Sequence, residues 1–139
     1  MNLEDQIRIY LSSLPEPKRI DLQELDSIIM EINPNCKLWF LDGKNNENKV
    51  VSNPNIGYGL THIKYANGNS KEFYQIGTSA NTTGISIYLF GNNEKDHFIK
   101  KYKDNLGKAT ITGYCIKFKS LQDLNIEILI ELIKDAFKA

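Results

Sequence analysis

The chain has 139 residues, 41% of them apolar and 24% charged, with 17 basic and 17 acidic side chains. That length suits a single domain over residues 1–139, one able to bury roughly 68% of its unfolded surface, and the composition is ordinary for a soluble globular protein. Zero net charge and a basic stretch without arginine argue against nucleic acid as a partner, and apolar runs of only a few residues leave no segment to span a membrane.

Charge is nonetheless unevenly spread. Residues 1–31 hold seven acids (Glu4, Asp5, Glu16, Asp21, Glu24, Asp26, Glu31) against Arg8, Lys18 and Arg19. Residues 94–119 hold seven lysines against Glu94, Asp96 and Asp104. Both read as solvated faces that attract each other weakly. The acidic start, Met1-Asn2-Leu3-Glu4-Asp5, lacks a signal-peptide pattern, so a cytoplasmic location is expected. Cys36 and Cys115 are then expected to stay reduced, and the sequon at Asn81 to go unused.

In chain order, Ile7, Tyr10, Leu11 and Leu14 share one face of a first helix. Leu14-Pro15-Glu16-Pro17 breaks it, and Pro17 suits the first position of a second helix. There Leu22, Leu25, Ile29 and Ile32 line one side, with Asp21, Glu24 and Glu31 opposite or flanking. Asn33-Pro34 stops the run. So short a connection predicts an antiparallel helical hairpin. Leu38-Trp39-Phe40-Leu41 reads as a short strand, and residues 42–55, rich in Asn, Lys and Gly, as a mobile loop. Residues 56–66 and 71–76 flank Asn67-Gly68, a strong hairpin signal. Residues 83–90 are the clearest strand, with Ile85, Ile87 and Leu89 on one face and Ser86, Tyr88 and Phe90 on the other. Asn93 offers an N-cap for a helix through Phe98, Ile99 and Tyr102, with Gly107 as its stop. Residues 113–119 form a last strand, and Ile128, Leu129, Leu132, Ile133 and Phe137 mark a closing helix. The order α-α-β-β-β-β-α-β-α predicts an α+β fold. Its mainly antiparallel, five-stranded sheet carries the N-terminal helical hairpin and the C-terminal helices on one face.

Several of these segments resemble the YdhG-like family of bacterial domains of unknown function. The similar segments are residues 10–19 (YLSSLPEPKR), Ile56-Gly57-Tyr58-Gly59, Ile85-Ser86-Ile87-Tyr88, residues 102–109 (YKDNLGKA) and residues 115–124 (CIKFKSLQDL), in the right order along most of the chain. The resemblance implies a compact domain of helices packed on an antiparallel sheet, and brings little chemistry. One branch of the family is described as frataxin-like iron chaperones, which makes iron the cofactor the resemblance implies. That branch usually carries Met-Pro after the tyrosine-glycine pair, whereas here Leu60-Thr61 follows Gly59.

The residues themselves show no complete catalytic set. His62 and His97 have no second ligand at helical or strand spacing, and a tight metal site needs several converging donors. Asp21, Glu24 and Glu31 offer at most a loose acidic ridge on the second helix that would hold iron through oxygen. Cys115 reads as a small strand thiol and Cys36 as a turn residue, neither with a base nearby in sequence. Gly57 and Gly59 straddle Tyr58 in a strand, not at a helix start. They are expected to leave room for a helix or bulky side chain. What remains is the sheet face turned away from the helices. Tyr58, His62, Lys64, Ser86, Tyr88 and Lys117 are expected to line it, bordered by Trp39 and a loop over residues 78–83. Rings, donors and positive charge suit a small anionic or aromatic ligand. The expected function is therefore a non-catalytic domain holding a small molecule or protein partner. An iron-binding chaperone and an enzyme with His62 as general base are the alternatives. An uncovered aromatic face also allows a homodimer.

Overall fold

A computed structural model describes residues 2–90 and 96–138. The first helix, α1 (Leu3–Ser13), starts where the Asn2 side chain accepts a hydrogen bond from the Asp5 amide at 2.8 Å. The second, α2 (Lys18–Ile32), begins one residue after Pro17. Six strands then follow: β1 (Leu38–Leu41), β2 (Asn55–Tyr58), β3 (Thr61–Lys64), β4 (Ser70–Phe73), β5 (Ile76–Asn81) and β6 (Gly84–Leu89). A short helix, α3 (His97–Tyr102), leads to β7 (Thr110–Thr112) and β8 (Cys115–Phe118). After a 3-10 turn (Leu121–Asp123), α4 (Ile126–Lys138) closes the chain, its first turn capped by the Asn125 side chain accepting from the Glu127 amide at 3.1 Å. Asn93, expected as the cap of α3, lies outside the described residues.

The main sheet has six strands in the order β1-β2-β5-β6-β8-β7, every neighbour antiparallel. One register row, Phe40, Ile56, Thr78, Ile87, Ile116 and Ile111, crosses all six strands on the face turned to the helices. Ile7, Leu11, Leu22, Leu25, Ile29, Leu129, Leu132 and Ile133 close over that face to make one core. The fold is α+β with helices on a single side of an antiparallel sheet, as the patterning predicts.

The strand count is larger than expected, for three local reasons. Residues 56–66 do not run as one strand. Gly59 adopts a φ of +86°, a left-handed conformation that costs glycine little and other residues more, and the chain leaves the main sheet there. It forms the separate β3–β4 hairpin around Asn67-Gly68 and returns to pair β5 with β2. The second reason is that residues 76–81 form a central strand where a bordering loop over 78–83 was expected. Thr78, Ser79 and Ala80 there are small, and all are buried. Small size had masked a strand embedded between two neighbours. The C-terminal strand signal is likewise a hairpin, β7–β8, turning at Gly113 and Tyr114.

The face away from the helices is also partly covered. A second register row there runs Trp39, Gly57, Gly77, Tyr88, Cys115, Thr112. The two glycines make a slot between Trp39 and Tyr88, and the Tyr74 ring lies in it. A Cβ on Gly57 would meet Tyr74 Cδ2 at 2.4 Å, and one on Gly77 would meet Tyr74 Cε1 at 2.4 Å. This is the close approach of a bulky side chain that Gly57 predicted. Phe73 stacks on Tyr74 at 4.1 Å between centroids, and Trp39, Phe90 and Tyr114 extend the cluster. Tyr74 is left 3% exposed. Gly77→Ala is therefore expected to lower stability by about 1–3 kcal/mol through overpacking, measured by urea denaturation. In a Tyr74→Ala background the same substitution should cost far less; an equal cost in both would remove the slot account.

Candidate functional site

The structure does not assemble the expected outer-face pocket. Tyr58 is fully buried and points at the helices, because residues 56 and 58 share the core face of β2 and the break at Gly59 ends the alternation. His62 and Lys64 ride on the exposed β3–β4 hairpin, where His62 Nε2 lies 3.8 Å from Glu72 Oε1. His62 thus lies on the exposed hairpin while Tyr58 lies in the core. Ser86, Tyr88, Lys117 and Trp39 do lie on the outer face. There Ser86 is buried and accepts from Asn81 Nδ2 at 2.9 Å, while Lys117 opposite it is exposed. Trp39 Nε1 donates to the Gly59 carbonyl at 2.8 Å, and the Tyr74 ring fills the space between Trp39 and Tyr88. What was expected to be open to a ligand is closed by the protein's own aromatic side chains.

The acidic ridge does not converge either. Asp21 Oδ2 accepts from the Leu121 amide at 3.2 Å, fixing the 3-10 turn, while Glu24 and Glu31 are exposed. Glu31 lies seven residues beyond Glu24, roughly 10 Å along the helix. Among the described residues no group of three or more His, Cys, Asp or Glu side chains is placed to hold a metal ion.

A different site appears where α1, α2 and the edge strand β1 meet. Ile7, Leu11, Met30 and Leu38 form apolar walls of a groove of about 330 Å³, with Glu4, Arg8, Ser12 and Gln23 around them. Asp26 also lines it. Its Oδ1 accepts a 2.5 Å hydrogen bond from the Tyr58 hydroxyl, and the carboxylate has no other hydrogen-bond partner among the described residues. Burial pushes the Asp26 carboxyl above its ordinary value, with the Tyr58 hydrogen bond opposing. The Tyr58 phenol is driven well upward, first by burial and then by the adjacent carboxylate, so it remains a donor. Beside them, Cys36 Sγ lies 4.0 Å from Met30 Sδ, its thiol pushed up by burial. The arrangement is an apolar-walled groove with a carboxyl group held in place by a locked phenol. It has the composition of a ligand site: mostly hydrophobic walls and few, placed polar groups.

Sequence reasoning passed over Asp26. The signal was present: positions 22, 25, 26 and 29 fall on one helical stripe, so Asp26 is the one acid among Leu22, Leu25 and Ile29. The ridge Asp21, Glu24, Glu31 drew attention because it was more numerous.

A second polar cluster ties α3 to α4. Asp135 Oδ2 accepts from the Tyr102 hydroxyl at 2.7 Å and from Lys101 Nζ at 3.3 Å, and lies 2.8 Å from His97 Nε2. Burial raises the Asp135 carboxyl, but the three hydrogen bonds outweigh it and the net direction is downward. The cluster lies at the α3–α4 contact and lines none of the grooves described, so we read it as a structural clamp. Tyr10 acts similarly elsewhere. Its hydroxyl accepts from the Ala80 amide at 3.0 Å, satisfying a buried donor that β2 does not reach.

Comparison with protein-family models, with curated proteins and with solved structures gives no match. The likeness to the YdhG-like family rests on the quoted sequence segments alone.

The two partly buried acids, Asp26 and Asp135, shift in opposite directions. Asp135 binds its proton less readily in the folded state, so its contribution is present above the ordinary carboxyl value of 3.8 and is lost as pH falls below it. Asp135→Asn should cost about 1–3 kcal/mol in urea denaturation near neutral pH, and the difference from wild type should shrink below pH 3.8. Asp26 binds its proton more readily when folded, so stability falls as pH rises from 3.8 to the raised folded value. Asp26→Asn should flatten that fall. A wild-type slope retained in the variant would contradict the placement of the carboxyl.

Proposed function

We propose that this chain is a non-catalytic binding domain, and that its ligand site is the groove between α1, α2 and β1 rather than the outer sheet face. The observation that carries this reading is Asp26. It is a partly buried carboxylate that lines an apolar groove, with a single hydrogen bond, from a phenol that cannot move. A charged group withdrawn from water costs several kcal/mol unless it is paired, and a structural role alone would be served by a neutral acceptor of the Tyr58 hydroxyl. Strongly perturbed titratable groups in a concave apolar site are the feature that marks binding and catalytic sites. Binding is favoured over catalysis because no nucleophile-base pair lines the groove: the nearby thiol faces a methionine sulfur and is held protonated by burial.

The site accepts a small molecule rather than an extended partner. It lies between two helices and one strand, with apolar walls from Ile7, Leu11, Met30 and Leu38 and a small number of polar groups beside them. A fragment screen read by two-dimensional NMR should place its shifts on Ile7, Leu11, Met30 and Leu38. Ser12→Trp adds bulk at an exposed position lining the groove, and should leave the fold intact by circular dichroism while abolishing those shifts. Shifts centred on Tyr88 and Lys117 instead would return the site to the outer face and defeat this proposal.

A further inference from the structure

We infer that the ligand of the α1–α2 groove is a small organic cation, an ammonium or guanidinium on a short apolar body whose N–H meets Asp26; this deepens the binding reading above and rests on it. Among the described residues two acids, Asp26 and Glu4, and one base, Arg8, line the groove. Arg8 is paired with Asp5 at 3.0 Å, and its side chain is 70% exposed. An anion would therefore meet two acids against one cation that is already paired.

The hydrogen-bond geometry narrows the class further. Asp26 Oδ1 is taken by the Tyr58 hydroxyl, and Tyr58 is fully buried, so it cannot yield that position. Oδ2 has no hydrogen-bond partner among the described residues, and an ionised carboxylate oxygen can accept more than one hydrogen bond. An ammonium can meet the group as a point charge and a guanidinium as a fork, and both bring the positive charge that the carboxylate favours. A neutral hydroxyl would supply the hydrogen bond without the charge, and charge-assisted hydrogen bonds are roughly twice as strong as neutral ones. A metal ion is a poor alternative, since among the described residues no cluster of His, Cys, Asp or Glu supplies the further ligands. Ile7, Leu11, Met30 and Leu38 then receive the apolar body.

The groups facing Asp26 are Tyr58 from β2, Cys36 from the α2–β1 connection, and Glu4 and Arg8 from α1. Tyr58 and Cys36 are held protonated by burial. Below neutral pH the acids remain, and Glu4→Gln separates them, so that any fall in binding on acidification can be assigned to Asp26.

The experiment titrates the full chain with n-pentylamine, pentylguanidine, 1-pentanol and pentanoate, reading saturation from the Met30 methyl resonance. The amine and the guanidine should each bind at least tenfold more tightly than the alcohol, with pentanoate not saturating. Asp26→Asn should bring both cations to the affinity of the alcohol and leave the alcohol unchanged. Should that variant fold poorly, the wild type and Glu4→Gln provide the same test: amine affinity falls tenfold or more on acidification through the Asp26 titration, while alcohol affinity does not. Equal affinities for all four probes, unchanged in Asp26→Asn, would overturn the cation assignment and leave the groove as a binding site. Absence of any shift at Met30, Ile7 or Leu11 would overturn both.

Discussion

Tyr58 ends the second strand of the sheet with its whole side chain inside the core, and a phenol so placed must find a partner for its hydroxyl. The partner is Asp26, reached from α2 at 2.5 Å. That bond joins helix layer to sheet layer, and it fixes a carboxyl group beside the apolar walls of the groove. It acts together with Leu22, Leu25 and Ile29, whose burial seats α2 on the core. A neutral acceptor would have satisfied the phenol as well, and a carboxyl withdrawn from water is costly to ionise. An ionisable group in that place is what separates the groove from a simple packing seam.

The sheet has two faces with different solutions to the same problem. Toward the helices, Phe40, Ile56, Ile87, Ile116 and Ile111 run across it in register and are covered by α1, α2 and α4. Away from them, two glycines create a slot for Tyr74, and Phe73, Phe90 and Trp39 pack around the ring. Only the first is a helix-covered core. The second is a smaller apolar layer built from the base of the β3–β4 hairpin. It is made possible by the left-handed Gly59, which lets the chain leave one sheet and begin another. Of the aromatic residues expected to line a binding surface, Trp39 joins this cluster through Phe73, and Tyr58 lies on the core side instead.

Charge asymmetry along the chain has a modest structural expression. The ion pairs of the acidic N-terminal region are local, Arg8 with Asp5 and Arg19 with Glu16, and Lys101 of the basic region meets Asp135 of α4. Among the described residues no ion pair joins the two regions. Solvated faces with short-range pairs need no long-range attraction to hold the fold. Nor is any helix among the described residues long and apolar enough to cross a membrane.

Periodicity determined the helices, the α+β class and the faces of β6, because a repeat of 3.6 or 2 is a local property of the chain. The apolar stripe of α2 was legible for the same reason, and the turn at Asn67-Gly68 from its residue types. Gly57 was legible as a place of close approach, but Gly77, which completes the slot for Tyr74, was not. Tertiary structure alone decided where Tyr58 points, since one left-handed residue at Gly59 resets an alternation that sequence carries straight through. It also decided that Thr78, Ser79 and Ala80 form a central strand, for their small side chains conceal the burial that two flanking strands impose. The pairing of Asp26 with Tyr58, residues 32 apart, belongs to the same class: a contact across layers leaves no periodic trace, and only folding brings the two groups together.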